Sequence, residues 1–198
     1  MDLAPVTLTG RVVRLEPLSL AHLDALETIA LDPELWRLTT SRLATRDDLR
    51  LYIESALADK ARGVALPFAT VSLEAGRAVG STRFGNIDPA NARVEIGWTW
   101  IARPWQRTAL NTEAKLLMLS HAFEKWGCRR VEFKTSSLNV RSREAIARLG
   151  AVEEGMLRSH MINPDGSRRD SVYFSIIDTE WPGVKARLKG LLGNRGNR

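Results

Sequence analysis

Alternating residues along 93–101 predict a strand at the centre of the chain. Its apolar set would face one side and comprises Val94, Ile96, Trp98 and Trp100. Glu95 and Thr99 would then share the opposite face. Pro104 has no amide donor and restricts the residue before it to extended geometry. The strand should therefore end near Pro104, and residues 105–108 should turn the chain.

A helical pattern follows, beginning near Leu110 or Asn111 and ending at Gly127. Apolar residues recur there at spacings of three and four, at Leu116, Leu119, Phe123 and Trp126. The first turn of this helix exposes amide donors at the positive end of the helix dipole, and the preceding loop adds polar side chains. This arrangement favours an anion such as a pyrophosphate. An ordinary capped turn is the alternative.

The N-terminal half of the chain predicts further elements. Residues 7–15 indicate a strand or small hairpin, and residues 19–30 and 45–63 indicate two helices. Residues 68–73 and 78–87 indicate strands joined by hairpin chemistry. The two helices and the irregular loop between them would form one wall of a substrate cleft, lined by Trp36 or Arg42. Burial of Trp36 in the core is the alternative.

The C-terminal half continues the sheet. Residues 130–135 alternate as a strand, and a right-handed crossover would place it parallel to the strand at 93–101. Residues 141–149 indicate a short helix that stops at Gly150. Residues 152–161 and 171–177 indicate strands across a turn, and residues 178–192 a terminal helix. The sheet should be mixed.

Composition limits the classes of protein. The 198 residues are 44% hydrophobic, which is enough for one domain over residues 1–192. No apolar run approaches the roughly 18 residues of a membrane span, so we expect a cytoplasmic protein without a membrane partner. Cys128 is the single cysteine, so we expect neither a disulfide framework nor a cysteine-rich metal site. With three histidines in the chain, we do not expect metal catalysis.

The net charge of +6 is concentrated at the C-terminus. Five basic residues and no acid lie in residues 183–198, namely Lys185, Arg187, Lys189, Arg195 and Arg198. Subtracting these five leaves about +1 for the rest of the chain. Nucleic acid is therefore not an expected partner, and residues 193–198 are interpreted as a basic, frayed tail.

Three ordered segments carry a family resemblance: EIGWTWIARPWQRTALNTEAK, SLNVRSREAIARLGAVEEGMLR and PDGSRRDSVYFSIIDTEW. Together they resemble the GCN5-related N-acetyltransferase (GNAT) superfamily, in particular its RimJ/RimL-type branch of ribosomal-protein N-terminal acetyltransferases. The resemblance implies an α+β fold in three layers. Its mixed, mostly antiparallel sheet of about seven strands would be flanked by helices, with two parallel central strands splaying apart.

The resemblance also implies acetyl-CoA as co-substrate, bound in the wedge between the splayed strands, and no metal. Main-chain groups of Trp100 and Ile101 would hold the pantetheine arm. Amides of the following loop would hold the phosphates, at Gln106, Arg107, Thr108, Ala109, Leu110, Asn111 and Thr112. Asn139 would hold the cofactor, and Arg143 would reach its phosphates. Ala109 and Asn111 stand where the family has glycine or another small residue; asparagine tolerates left-handed geometry.

The implied reaction is direct attack of an amine on the thioester. Glu95 is the candidate general base, directly or through water, and Ser142 is the candidate donor of a proton to the thiolate. The alternative to a general base at Glu95 is a plain ion pair with a residue such as Lys134. The alternative to proton donation by Ser142 is helix capping by Asn139 and Ser142.

The acceptor would be an amine, either a peptide N-terminus or a small molecule. An α-amine has a pKa near 8 and a lysine side chain one near 10.4, so a weak base suffices more readily for the former. His160 and Asp170 on the last hairpin are candidate substrate contacts, with Trp36. The resemblance leaves a homodimer open. A CoA-binding protein without catalysis remains the alternative function.

Overall fold

The computed structural model describes residues 1–193, which contain eight strands and five α-helices. The strands are β1 (Leu8–Thr9), β2 (Val13–Pro17), β3 (Leu66–Ser72), β4 (Arg77–Asp88), β5 (Arg93–Ile101), β6 (Arg130–Ser136), β7 (Val152–Ile162) and β8 (Arg168–Ile177). The α-helices are α1 (Leu23–Ala30), α2 (Arg46–Ala61), α3 (Ala109–Ser120), α4 (Val140–Leu149) and α5 (Trp181–Gly193). A π-helical turn, His121–Lys125, extends α3.

All eight strands belong to one sheet, in the order β1-β2-β3-β4-β5-β6-β8-β7. Only β5 and β6 pair in parallel, and every other pair in the described sheet is antiparallel. The predicted mixed, mostly antiparallel sheet is confirmed. The sheet has one strand more than the seven or so expected. The additional strand is the two-residue β1, which forms a small hairpin with β2.

Local signals explain where the helices begin and end. The Thr45 hydroxyl accepts a hydrogen bond from the Asp48 amide and caps α2. Gly127 and Gly150 follow α3 and α4 with φ values of 64° and 106°. That left-handed backbone suits glycine, so both predicted helix stops are confirmed.

The sheet separates two apolar clusters, which gives the expected three layers. One cluster lies under α3 and α5 and includes Phe84, Val94, Met118 and Leu188. The other lies under α1 and α2 and includes Leu26, Ile53, Trp36 and Trp100. Burial of aromatic and aliphatic side chains on both faces of the central strands holds the layers together.

A bulge in β5 overturns the predicted alternation. Ser81 pairs with Trp100 and Arg83 with Gly97, so Trp98 and Thr99 together oppose the single residue Thr82. Trp98 has φ 49°. The extra residue shifts the faces, and Glu95 and Thr99 do not share one. The Thr99 hydroxyl bonds to Lys115 on α3, whereas the Glu95 carboxylate bonds to Asn86 and lies near Lys134.

The predicted basic tail falls mostly on residues 194–198, which lie outside the described residues; Gly193 is the last residue of α5. No helix within residues 1–193 is long and apolar enough to cross a membrane. The same residues hold no group of three or more His, Cys, Asp or Glu side chains placed to bind a metal ion.

Candidate active site

The site begins where β5 and β6 separate. The two strands pair only through three residue pairs, of which Glu95 with Glu132 is the last. Beyond that point β6 pairs with β8 and β5 with β4, so the facing edges of β5 and β6 are not bonded to each other. Their unpaired amides and carbonyls lie along a wedge that opens toward the N-terminus of α3.

A short loop leads from β5 to α3. A 3₁₀ turn over Arg103–Trp105 is followed by Gln106 and by Arg107, which has φ 62°. The Thr108 hydroxyl caps α3 by accepting a hydrogen bond from the Leu110 amide at 3.2 Å. The other amides of the first turn have no acceptor within the helix, as at any helix N-terminus. This end of α3 is also the end of the wedge.

The left-handed residue of the loop differs from the expected ones. Ala109 and Asn111 lie inside the first turn of α3 and need no glycine-like backbone. Arg107 takes the left-handed conformation instead, at some cost for a non-glycine residue. Leu110 and Thr112 are buried, and the side-chain oxygen of Asn111 is buried without a hydrogen-bond partner among the described residues.

Gln106 ties three parts of the wedge together. Its side-chain Nε2 donates to the Ile101 carbonyl at 2.7 Å, and its Oε1 accepts from the Arg141 guanidinium at 2.7 Å. The loop is thereby fastened to the end of β5 and to the start of α4. The Gln106 side chain is thus engaged in holding the loop, and the predicted phosphate contact of this residue concerns its main-chain amide. Trp100 packs its buried ring on Trp36.

Glu95 is a buried carboxylate at the closed end of the wedge. Its side chain is 4% exposed, and Oε2 accepts from Asn86 Nδ2 at 2.7 Å. Lys134 Nζ lies 3.6 Å from the same oxygen. Burial raises the pKa of Glu95, and Lys134 and Asn86 oppose that shift. The ion pair considered as an alternative is therefore present, and it is compatible with a base held in a fixed orientation.

Asn139, Ser142 and Arg143 lie at the start of α4. The Asn139 side-chain oxygen accepts from the Ser142 amide at 3.1 Å, so Asn139 caps the helix as the alternative interpretation proposed. Arg143 contacts the Glu153 carboxylate at 3.2 Å. The structure therefore gives Asn139 and Arg143 partners within the protein.

The three candidate substrate residues are in different surroundings. Trp36 is buried, and its Nε1 donates to the Ala30 carbonyl at 2.6 Å, which favours the core interpretation. His160 is exposed on β7, where its Nδ1 lies 3.1 Å from the Ser171 hydroxyl and its ring meets Tyr173 edge-on. Asp170 accepts a hydrogen bond from the Ser159 amide at 2.6 Å and braces the hairpin.

The structure places Tyr173 and Arg169, which the sequence patterns did not single out, on the same face as Glu95 and Lys134. Lys134 lies 5.8 Å from the centre of the Tyr173 ring, and burial raises the pKa of Tyr173. Arg169 on β8 is buried with its Nη1 3.3 Å from the Leu38 carbonyl. Their shared face follows from the pairing of β6, β8 and β7, which no local pattern reveals.

Two charged residues of α3 are buried behind the wedge. Glu113 accepts hydrogen bonds from the amides of Arg11, Val12 and Val13 at 2.9, 2.7 and 3.1 Å. Lys115 donates to the hydroxyls of Thr82 and Thr99 at 3.1 and 2.6 Å, and burial lowers its pKa to about 7. Both side chains fix the position of α3 against the sheet.

Comparison with known proteins bears on this geometry. Residues 13–152 match the family model described as an acetyltransferase (GNAT) domain. The Bacillus subtilis protein named "Putative ribosomal N-acetyltransferase YdaF" is 33% identical over 110 residues, which cover 56% of this chain and 59% of that relative. The chain thus spans less than two thirds of that relative's length.

Solved structures extend the similarity to the whole fold. A "putative acetyltransferase" from T. thermophilus is 39% identical, with a TM-score of 0.88 over 97% of this chain and 100% of that one. Mycobacterium smegmatis RimJ, solved in complex with CoA-disulfide, is 25% identical, with a TM-score of 0.81 over 98% of this chain and 97% of that one.

Proposed function

Because this chain belongs to the GNAT acetyltransferase family, we propose that it transfers an acetyl group from acetyl-CoA to a primary amine by direct attack. The acceptor class is a peptide N-terminal α-amine or a small-molecule amine. One observation carries the proposal: β5 and β6 part immediately after Glu95, so a wedge of unpaired backbone runs from a buried carboxylate to the N-terminus of α3.

The residues along this wedge suit acetyl-CoA. An extended pantetheine arm carries amides that can pair with the edge of β5 that faces the wedge near Trp100 and Ile101, as a further strand would. At that edge the Ile101 carbonyl also accepts from Gln106. The phosphates of the cofactor match the free amides and positive dipole end of α3, with the loop residues 106–108 and the first-turn residues 109–112 around them. When bound, acetyl-CoA supplies the activated thioester.

The chain's own groups would manage the protons. Glu95, oriented by Asn86 and Lys134, would accept the proton of the attacking amine, directly or through water. Its raised pKa makes it a better base than an exposed glutamate. Ser142, at the first turn of α4, would donate a proton to the departing thiolate. Lys134 would disfavour a second cation at Glu95 and thus favour a neutral amine.

The acceptor class draws support from one relative, whose name describes a ribosomal N-acetyltransferase. The CoA-disulfide bound by RimJ of Mycobacterium smegmatis supports the choice of cofactor instead. These properties belong to those proteins and motivate the acceptors and the cofactor to test here. A peptide N-terminus also satisfies the requirement for an amine that is easily deprotonated near neutral pH.

The test is calorimetric titration of acetyl-CoA into the wild-type chain and into Ala109→Arg, which places a large side chain at the first turn of α3. Ala61→Arg, at the exposed end of α2, adds the same side chain elsewhere. We expect micromolar binding by the wild type and by Ala61→Arg and its loss in Ala109→Arg. Absence of binding by the wild type would refute the proposal.

The second candidate function, CoA binding without catalysis, uses the same wedge. It is favoured by Asn139 and Gln106 being engaged in contacts within the protein. Mass spectrometry of a panel of peptides and small amines incubated with acetyl-CoA separates the two. Acetylated product requires the transferase, whereas tight binding with no product on any amine supports the alternative.

A further inference from the structure

Arg169 is a buried cation with no acidic partner among residues 1–193. Arg169 is 8% exposed. Its Nη1 donates to the Leu38 carbonyl at 3.3 Å, and its Nε is buried with no hydrogen-bond partner among the described residues. None of the ion pairs found within residues 1–193 includes it. A guanidinium stays charged in proteins, so this burial leaves a positive charge only partly compensated.

The other buried cations on this side of the sheet are compensated. Arg83 lies 3.3 Å from the Asp59 carboxylate and stacks against the rings of Tyr52 and Trp98. Lys134 has the Glu95 carboxylate. Arg169 therefore differs from its neighbours, and an anion from outside the chain would complete its surroundings.

The position of Arg169 connects it to the proposed acetyl-transfer centre. Along β8 it shares a face with Ser171 and Tyr173, and Tyr173 lies against Lys134. Burial lowers the pKa of Arg169, and the negative charge of the Glu95 carboxylate opposes that shift. A cavity of about 100 Å³ at the end of β6 is lined by Ser136, Ser137 and Arg169, and also by Arg168 and Asp170. The Asp170 carboxylate already accepts a hydrogen bond from the Ser159 amide. The volume of the cavity accommodates a carboxylate.

We propose that Arg169 binds a carboxylate of the acceptor, so that the acceptor class is an amine that also carries an acid group. This inference rests on the proposed acetyl transfer. Its geometry places the amine at Glu95 and the acid at Arg169, on one face of the sheet and beneath Leu38. The carboxylate comes either from the α-carboxyl of a free amino acid or from an aspartate or glutamate near a peptide N-terminus. A guanidinium suits it because two N–H groups can reach both oxygens.

The test compares acceptors that differ only in the acid. Peptides with aspartate or glutamate at position one, two or three are matched with their asparagine or glutamine counterparts, and free serine is matched with serinamide. For the wild type, kcat/KM for the best acid-bearing acceptor should exceed that for its amide by about 10- to 100-fold. A preference seen with the peptides identifies a side-chain carboxylate as the source, and a preference for serine over serinamide identifies the α-carboxyl.

Substitution ties the preference to this residue. Arg169→Gln should abolish the preference and change kcat/KM for neutral acceptors less than about threefold, while Arg169→Lys should keep part of it. Arg129→Gln makes the same charge change at an exposed residue outside the site and should retain the full preference. Circular dichroism and acetyl-CoA titration verify that each variant is folded.

The outcomes separate the two proposals. If the wild type acetylates neutral and acidic acceptors equally, or if Arg169→Gln keeps the preference, the carboxylate site is wrong and acetyl transfer stands. If Arg169→Gln does not fold, Arg169→Lys and the wild-type comparison decide the question. If the wild type acetylates none of these amines, acetyl transfer to them is refuted, and the carboxylate site is refuted with it.

Discussion

The ammonium group of Lys115 lies 2.6 Å from the Thr99 hydroxyl, inside the core and on the opposite side of the sheet from Glu95. Thr82 is its other hydrogen-bond partner, at 3.1 Å, and no carboxylate appears among its described partners. The contact joins α3 to the bulge of β5, which turns Trp98 and Thr99 out of the regular alternation. Lys115 thereby supports the bulged part of the strand.

We predict that Lys115→Met removes a pH dependence of stability. Burial lowers the Lys115 pKa from 10.5 to about 7, so between these values the unfolded chain binds more protons than the folded one. Stability contributed through Lys115 therefore rises from pH 7 toward pH 10 and is at its lowest below pH 7. Urea unfolding of both chains should show the wild type gaining a few kcal/mol relative to Lys115→Met between about pH 6.5 and about pH 9.5. Parallel curves would contradict the assignment.

Glu113→Gln is expected to weaken the N-terminal hairpin. The carboxylate accepts from three amides of residues 11–13, and an amide side chain offers one acceptor oxygen and an NH₂ group that clashes with a donor. The loss should be about 1–3 kcal/mol in the free energy of unfolding, measured in urea at neutral pH. The exposed Glu144→Gln is the control and should lie within about 0.5 kcal/mol of the wild type.

Glu95→Gln should lower kcat by about 100-fold or more, with acetyl-CoA affinity unchanged, if Glu95 is the base. In the wild type, kcat should fall as pH decreases through the raised pKa of Glu95, because the protonated carboxyl cannot accept a proton. That acidic limb should be absent from the residual activity of the variant. Initial rates from about pH 5 to about pH 9 test both statements. A wild-type profile retained in the variant would assign the base elsewhere.

Gln106→Met should weaken acetyl-CoA binding by about 10-fold through loss of loop order. The variant keeps the size of the side chain but loses the hydrogen bonds to the Ile101 carbonyl and the Arg141 guanidinium. Calorimetric titration measures the affinity, and urea unfolding measures the stability, which should change by less than about 1.5 kcal/mol. Equal affinities in the two chains would show that the tether does not organise the loop.

Much of the architecture was predictable because its determinants are local. Apolar residues that alternate, or that recur every three to four positions, located the strands and helices to within a few residues. These elements are β4, β5, β6, β7, β8 and the five α-helices. Thr45 and the glycines after α3 and α4 marked helix ends through their own capping chemistry and backbone freedom. The ordered segments that resemble the GNAT family predicted the parallel pair and its wedge, and the three-residue parallel pairing of β5 with β6 locates the start of that wedge at Glu95.

The site was less predictable, since its partners come from distant parts of the chain. Asn86, Lys134 and Arg169 lie on three different strands, and only the sheet order brings them to the face of Glu95. The bulge at Trp98 likewise depends on the register of β4 against β5. For Trp36 and Asn139 the sequence left two interpretations open, and their hydrogen bonds within the fold favour the structural one.

The sequence by itself determined the succession of strands and helices, the turns between them and the family to which they belong, because spacing, capping and turn chemistry act over a few residues. Tertiary structure decided the partners of the buried charges other than Glu95. Glu113 finds its amides about a hundred positions away, Lys115 meets two hydroxyls, and Arg169 is left without an acid among the described residues. The cost of burying a charge depends on everything that surrounds it, and that environment exists only once the chain has folded.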